Sequence, residues 1–197
     1  DLYAYFGGGA WEWVEARQQY FFHQFSKKQP DLNWENPEVR AAVYKMMNWW
    51  VDRGVDGFRM DVINLISKDW TKKDQGTWEM CQNGPRVNEW LQEMNREVLR
   101  GKNLITVGEM PGCTIQHARD YTDPERHELN MVFTFEHMDL DGTVGMSKFD
   151  YSKMHLPDLK ANLNKWQKGL ETVGWNSLYW NNHDQPRIVS RWGNDGM

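Results

Sequence analysis

Gly57-Phe58-Arg59-Met60-Asp61-Val62 is the stretch that decides how this chain is read. Val55, Phe58, Met60, Val62 and Ile63 are too apolar for a surface loop and mark a buried strand, yet Arg59 and Asp61 interrupt it. Residues two apart on a strand face the same way, so the guanidinium and the carboxylate are expected side by side. Alone, the pair is either a structural ion pair or a functional one, because desolvating two charges offsets most of their attraction. What flanks the stretch chooses between these.

Upstream, Asn36 caps, Pro37 suits the first helical position, and Val39, Ala42, Val43, Met46, Met47, Trp50 and Val51 recur at helical spacing until Gly54. Downstream, Asn83-Gly84-Pro85 opens a second helix with Val87, Trp90, Leu91, Met94 and Val98 on one face. Leu104-Ile105-Thr106-Val107 is a strand ending at Gly108-Glu109, and a short helix is expected over about 114–121. Met131-Val132-Phe133-Thr134-Phe135 reads as a third strand, and Leu156, Leu159, Leu163, Trp166 and Leu170 mark another helix. Trp175 to Asn181 reads as a fourth strand, ending in Asn182-His183-Asp184.

Alternating strands and helices mean parallel strands joined by crossovers, an α/β fold. A doubly wound sheet is the less favoured version, since no GxGxxG or phosphate loop is present and Gly7-Gly8-Gly9 lacks flanking elements. Three strand ends carry acids, as in a (β/α)₈ barrel, whose chemistry sits at the carboxyl ends of its strands. A whole barrel needs about 250 residues. The chain is therefore expected to hold about strands 4 to 7, truncated at both ends, over residues 35–197. Residues 1–34, rich in Gly and aromatics, read as an irregular segment with small strands.

Bulk properties narrow the class. A formal charge of -5 offers no basic surface for nucleic acid, and no apolar run is long enough for a membrane span. Cys81 and Cys113 form neither a ligand motif nor a disulfide framework, which points to the cytoplasm. The 12 Trp suit a site for sugars, whose apolar ring faces stack on indoles, although most Trp residues pack cores.

Read singly, Glu109 fits a turn and His183-Asp184 a structural hydrogen bond. Together with Asp61 and Arg59 on one rim they fit glycoside cleavage. The retaining route needs an ionised carboxylate to attack the anomeric carbon and a protonated one to assist the leaving oxygen, about 5–5.5 Å apart. Arg59 would keep Asp61 ionised, a raised Glu109 would donate and later accept a proton, and Asp184 would favour the growing positive charge. His183 supplies a hydrogen bond to hydroxyls.

Gly57-Phe58-Arg59-Met60-Asp61-Val62, Val107-Gly108-Glu109 and Asn181-Asn182-His183-Asp184 resemble, in order and spacing, three signature regions of the α-amylase superfamily of glycoside hydrolases. Gln29-Pro30-Asp31-Leu32-Asn33-Trp34 resembles a fourth, near the end of the small domain inserted after the third barrel strand and typical of the oligo-1,6-glucosidase branch. The resemblance implies Asp61 as nucleophile, Glu109 as general acid/base and Asp184 as transition-state stabiliser. It implies Arg59, Val62, Phe135, Lys148, His183 and Arg187 as substrate-site residues, with Lys148 near the leaving sugar. It makes residues 1–34 the end of the inserted domain. No cofactor or metal is implied, any calcium loop of the family lying upstream of Asp1, and the partner is an oligosaccharide.

Val62 matches relatives acting on α-1,6 bonds, where α-1,4-specific ones more often carry Ala or Thr. Glu109-Met110-Pro111-Gly112 and Trp180-Asn181-Asn182-His183 also resemble the oligo-1,6 type. The implied activity is that of a retaining, exo-acting α-glucosidase on isomalto-oligosaccharides, in carbohydrate catabolism. Alternatives are a trehalose-6-phosphate hydrolase, a sucrose isomerase or glucosyl-transferring relative, and the inactive transporter heavy chain that shares the barrel. With the upstream Asn-His region and the last strand missing, the chain by itself is expected to be inactive.

Overall fold

A computed structural model describes residues 2–142 and 153–194. The chain opens with an antiparallel hairpin of β1 (Trp11–Val14) and β2 (Gln19–Phe22), its turn closed by Gln18 at φ 50°. Helix α1 (Pro37–Val51) begins where the Asn36 side chain accepts the Glu38 N–H at 2.9 Å, with Pro37 in the first position, where its missing donor costs nothing. Strand β3 (Gly57–Met60) follows, then the short α2 (Thr77–Cys81) and α3 (Val87–Met94). A π-helical turn, Asn95–Leu99, continues α3 and keeps Val98 buried. Next come β4 (Ile105–Glu109), α4 (Ile115–Thr122), β5 (Met131–Phe133), α5 (Leu156–Leu170), β6 (Trp175–Asn176) and α6 (Ile188–Trp192).

Strands β3 to β6 form one parallel sheet in the order β3-β4-β5-β6. Spatial order equals chain order, so each crossover lays its strand beside the previous one, as a barrel requires; a doubly wound sheet reverses at its switch point. The register pairs Met60 with Gly108 and Glu109 with Phe133. Asp61, one residue beyond β3, thus leaves the sheet level with Glu109.

The main core lies between this sheet and α1, α3, α4 and α5, with Met60, Trp90, Leu91, Met94, Val132, Tyr121 and Trp166 all buried. Trp34 joins it, its ring stacked 6.2 Å from Trp90. A smaller cluster of Ala10, Phe22, Leu65, Met80 and Cys81 ties the hairpin to the segment after β3.

Two expectations change. Helix α1 buries Arg40, Tyr44 and Met47 and leaves Met46 and Trp50 about half exposed. Arg40 is tolerated inside because its guanidinium donates to Trp34 O and Glu93 Oε2, both at 2.7 Å. Strands β5 and β6 are also shorter than their apolar runs. After Asn176 the ladder ends with Ser177 N–H on Val132 O, and the Tyr179 carbonyl is taken by the His137 ring instead, at 2.8 Å.

Candidate active site

Strand parity places the Arg59 and Asp61 side chains together, as expected: Arg59 Nη1 donates to Asp61 Oδ1. The same guanidinium reaches across the ladder and donates through Nη2 to Glu109 Oε2 at 2.7 Å. Its Cζ lies over the Phe133 ring, 5.4 Å from the centroid. One arginine therefore holds carboxylates from two adjacent strands.

The two acids sit in different surroundings. Glu109, the last residue of β4, has a side chain 4% exposed, whereas that of Asp61 is 72% exposed. Burial pushes the Glu109 carboxyl above its ordinary range. The Val62 N–H, donating at 3.1 Å, and Arg59 oppose this, and the neighbouring Asp61 reinforces it. For Asp61, burial pulls upward too, but hydrogen bonds from Arg59 and with Glu109, and the charges of Arg59 and His183, outweigh it and hold the group below the usual range. A proton on the site therefore belongs to Glu109, and Asp61 stays anionic. An exposed anion beside a buried acid is the pairing that attack with leaving-group protonation demands.

Val62 contributes through its backbone. Its φ of 34° and ψ of 43° lie in the left-handed region, which a β-branched residue rarely enters. This turn sends the chain out of β3 into the 3-10 turn Ile63–Leu65 and aims the Val62 N–H at Glu109. The side chain packs against the cluster of Ala10, Phe22, Leu65, Met80 and Cys81.

A pocket of about 170 Å³ opens beside the guanidinium, lined by Arg59, Phe133, Tyr179, Asn181, Asn182 and His183. His183 is exposed and lies 3.2 Å from Asp184 Oδ2, while the Asp184 N–H donates to Asn182 Oδ1 at 2.9 Å. Phe135 is half-buried behind the pocket, its ring 6.0 Å from Phe133 and 6.1 Å from Tyr179. Arg187 is exposed immediately before α6, and no hydrogen bond among the described residues joins it to Arg59, Asp61 or Glu109. Lys148 lies outside the described residues.

Tyr179, Asn181, Asn182 and Phe133 line the pocket without having been picked out as binding groups. Tyr179 Oη and Asn182 Nδ2 are buried and have no hydrogen-bond partner among the described residues, so polar capacity is left over in two residues of the pocket wall. Tyr179, whose phenol burial pushes upward, sits in an aromatic stretch that reads as strand packing. Among the described residues, no group of three or more His, Cys, Asp or Glu is arranged to hold a metal ion.

This sheet and its rim belong to a known class: the chain is a member of the alpha-amylase family, matching its catalytic domain along residues 1–197. It is 58% identical over 200 residues to an oligo-1,6-glucosidase of Parageobacillus thermoglucosidasius, with 97% of this chain and 35% of that protein aligned. It is 50% identical to a glucan 1,6-alpha-glucosidase of Streptococcus pneumoniae, over 99% of this chain and 36% of that one. A crystal structure of trehalose-6-phosphate hydrolase from Bacillus licheniformis superposes with a TM-score of 0.92 at 47% identity, covering 99% of this chain and 36% of that chain. The chain thus spans about a third of the length of the curated relatives it matches. Its four-stranded sheet is part of the (β/α)₈ barrel of that catalytic domain.

Proposed function

We propose that the whole protein is a retaining, exo-acting α-glucosidase that hydrolyses α-1,6-glucosidic bonds of isomalto-oligosaccharides in cytoplasmic carbohydrate catabolism. In this reading Asp61 attacks the anomeric carbon and forms a glucosyl ester while Glu109 passes its proton to the departing oxygen. Glu109 then takes a proton from water, whose oxygen displaces Asp61 and restores the acid. Two inversions leave the configuration retained. Asp184 favours the positive charge that grows on the ring, and Arg59 and His183 hold the carboxylate and hydroxyls in place. Val62, Phe135 and Arg187 shape the sugar site, and Lys148 serves the leaving sugar. Residues 1–34 form the end of the inserted domain, and 35–197 the centre of the barrel.

The observation that carries this reading is the single Arg59 fork holding an exposed Asp61 and a buried Glu109 whose proton affinities are pushed apart. Relatives named for 1,6-linked glucosides at 50–58% identity support the linkage. A trehalose-6-phosphate hydrolase is the second reading, drawn from the structure that superposes at a TM-score of 0.92.

The full-length enzyme should release α-glucose from isomaltose at least about tenfold faster than from maltose or trehalose 6-phosphate, followed by NMR of the first-formed anomer. Absence of glucose from isomaltose would remove the α-1,6 assignment, and a β-anomer would remove the retaining mechanism.

A further inference from the structure

A buried ionic cluster joins two loops of the rim, and no step above uses it. Asp141 follows the 3-10 turn Glu136–Asp139 after β5, and its side chain is fully buried. It takes Arg191 of α6 in a two-pronged ion pair, with Nε at 2.8 Å and Nη2 on the other oxygen, and also accepts from Trp192 Nε1. Arg191 is itself only 5% exposed. Its guanidinium goes on to donate to Met138 O at 2.6 Å and to Gln185 Oε1 at 2.9 Å.

Gln185 is the residue after Asp184. Strand β6 stops at Asn176, so the sheet ladder cannot fix a carboxylate so far along the chain. The intervening turn carries bonds of its own, with Gln185 N–H on Asn182 O at 3.3 Å and Asp184 N–H on Asn182 Oδ1, while Asn181 Oδ1 takes the Ile188 N–H of α6 at 3.4 Å. Bonds within a turn hold its shape, and its place is set by bonds to the rest of the molecule, of which Arg191 Nη1 on Gln185 Oε1 is one. A guanidinium clamped by two oxygens presents its remaining donors in a fixed plane.

We propose that Arg191, locked on Asp141, is a positioning residue that anchors the His183-Asp184 turn through Gln185 and so sets where the Asp184 carboxylate stands at the pocket. This rests on the reading of Asp184 as the group that favours transition-state charge. It makes the loop after β5 and the loop after β6 one unit, with the placement of Asp184 decided from the neighbouring loop.

The test uses the full-length enzyme and p-nitrophenyl α-glucoside, a substrate indifferent to linkage. Gln185→Met keeps the length of the side chain and the Asp141–Arg191 pair but removes the acceptor; Gln185→Glu keeps an acceptor. Gln185→Met should lower kcat roughly tenfold with KM within about twofold while the protein stays folded at the assay temperature, and Gln185→Glu should recover most of the loss. In an Asp184→Asn background Gln185→Met should cost nothing further, since the group it positions is gone. An unchanged kcat in Gln185→Met, or the same loss with and without Asp184, overturns the positioning role alone. Full turnover by Asp184→Asn itself overturns the reading on which it rests.

Discussion

Arg59 shows how one side chain can set two protonation states. Its Nη1 serves Asp61 and its Nη2 serves Glu109, yet Asp61 falls below its ordinary range and Glu109 rises, because Glu109 is the buried member and faces the anion that Arg59 stabilises. In the proposed mechanism, which needs Asp61 ionised and Glu109 protonated, kcat/KM should rise as the first loses its proton and fall as the second does, giving a bell. Arg59 lowers both groups, so Arg59→Met should move both limbs to higher pH and reduce kcat/KM by about 10²-fold, as loss of a site donor does. A pH–rate profile reads both, and limbs that stay in place would show that the guanidinium does not set them. The pairing of Arg59 with Asp61 was legible from strand parity. The Val62 turn was not, since a branched side chain argues against the left-handed backbone that a surrounding fold imposes at a cost of about 1–3 kcal/mol.

At the scale of elements, the approach of β3 to β4 brings the two acids together. A Cβ on Gly57 would meet the Ile105 carbonyl oxygen at 1.9 Å, and backbone in a ladder cannot step aside. The nearest atoms to one on Gly108 are side-chain methyls of Leu129, Met110 and Ile63, between 2.8 and 3.0 Å, which can give more readily than backbone. Gly57→Ala should therefore destabilise the full-length protein by about 3 kcal/mol and Gly108→Ala by less, measured by denaturant unfolding. Equal losses would mean that the ladder yields as easily as side chains do. The helices were largely legible, because caps such as Asn36 and the spacing of Val87, Trp90, Leu91 and Met94 act locally. The inward face of α1 was less legible, because Arg40 is buried by its partners, the Trp34 and Glu35 carbonyls and Glu93, which apolar spacing along the helix does not record.

Across the whole molecule, the segment Gln29 to Trp34 is fastened to α3 and to the chain leaving β3. Trp34 stacks on Trp90, and Lys68 Nζ, a few residues beyond Asp61, donates to Asp31 Oδ1 at 2.6 Å and to Leu65 O at 2.9 Å. Asp31 also accepts the Gln24 N–H at 3.0 Å, so the pair connects the hairpin to the chain leaving β3. With both side chains mostly shielded, Lys68→Met should lower stability by about 2 kcal/mol. Adding Asp31→Asn should cost less than the two changes summed, and thermal unfolding of the set gives the comparison; strict additivity would show the two groups to be independent. The α/β alternation, the helices and the acids at the ends of β3 and β4 were legible in the sequence, because periodicity, capping and strand parity act within a few residues. Only the tertiary structure decided that Arg59 bridges Asp61 and Glu109, that Tyr179 and Asn182 line the pocket, and that the Asp184 turn leans on Arg191. Each depends on a residue about fifty or more positions away, Glu109 for Arg59, Phe133 and Arg59 for the pocket and Asp141 for Arg191, brought close only when the strands lie side by side.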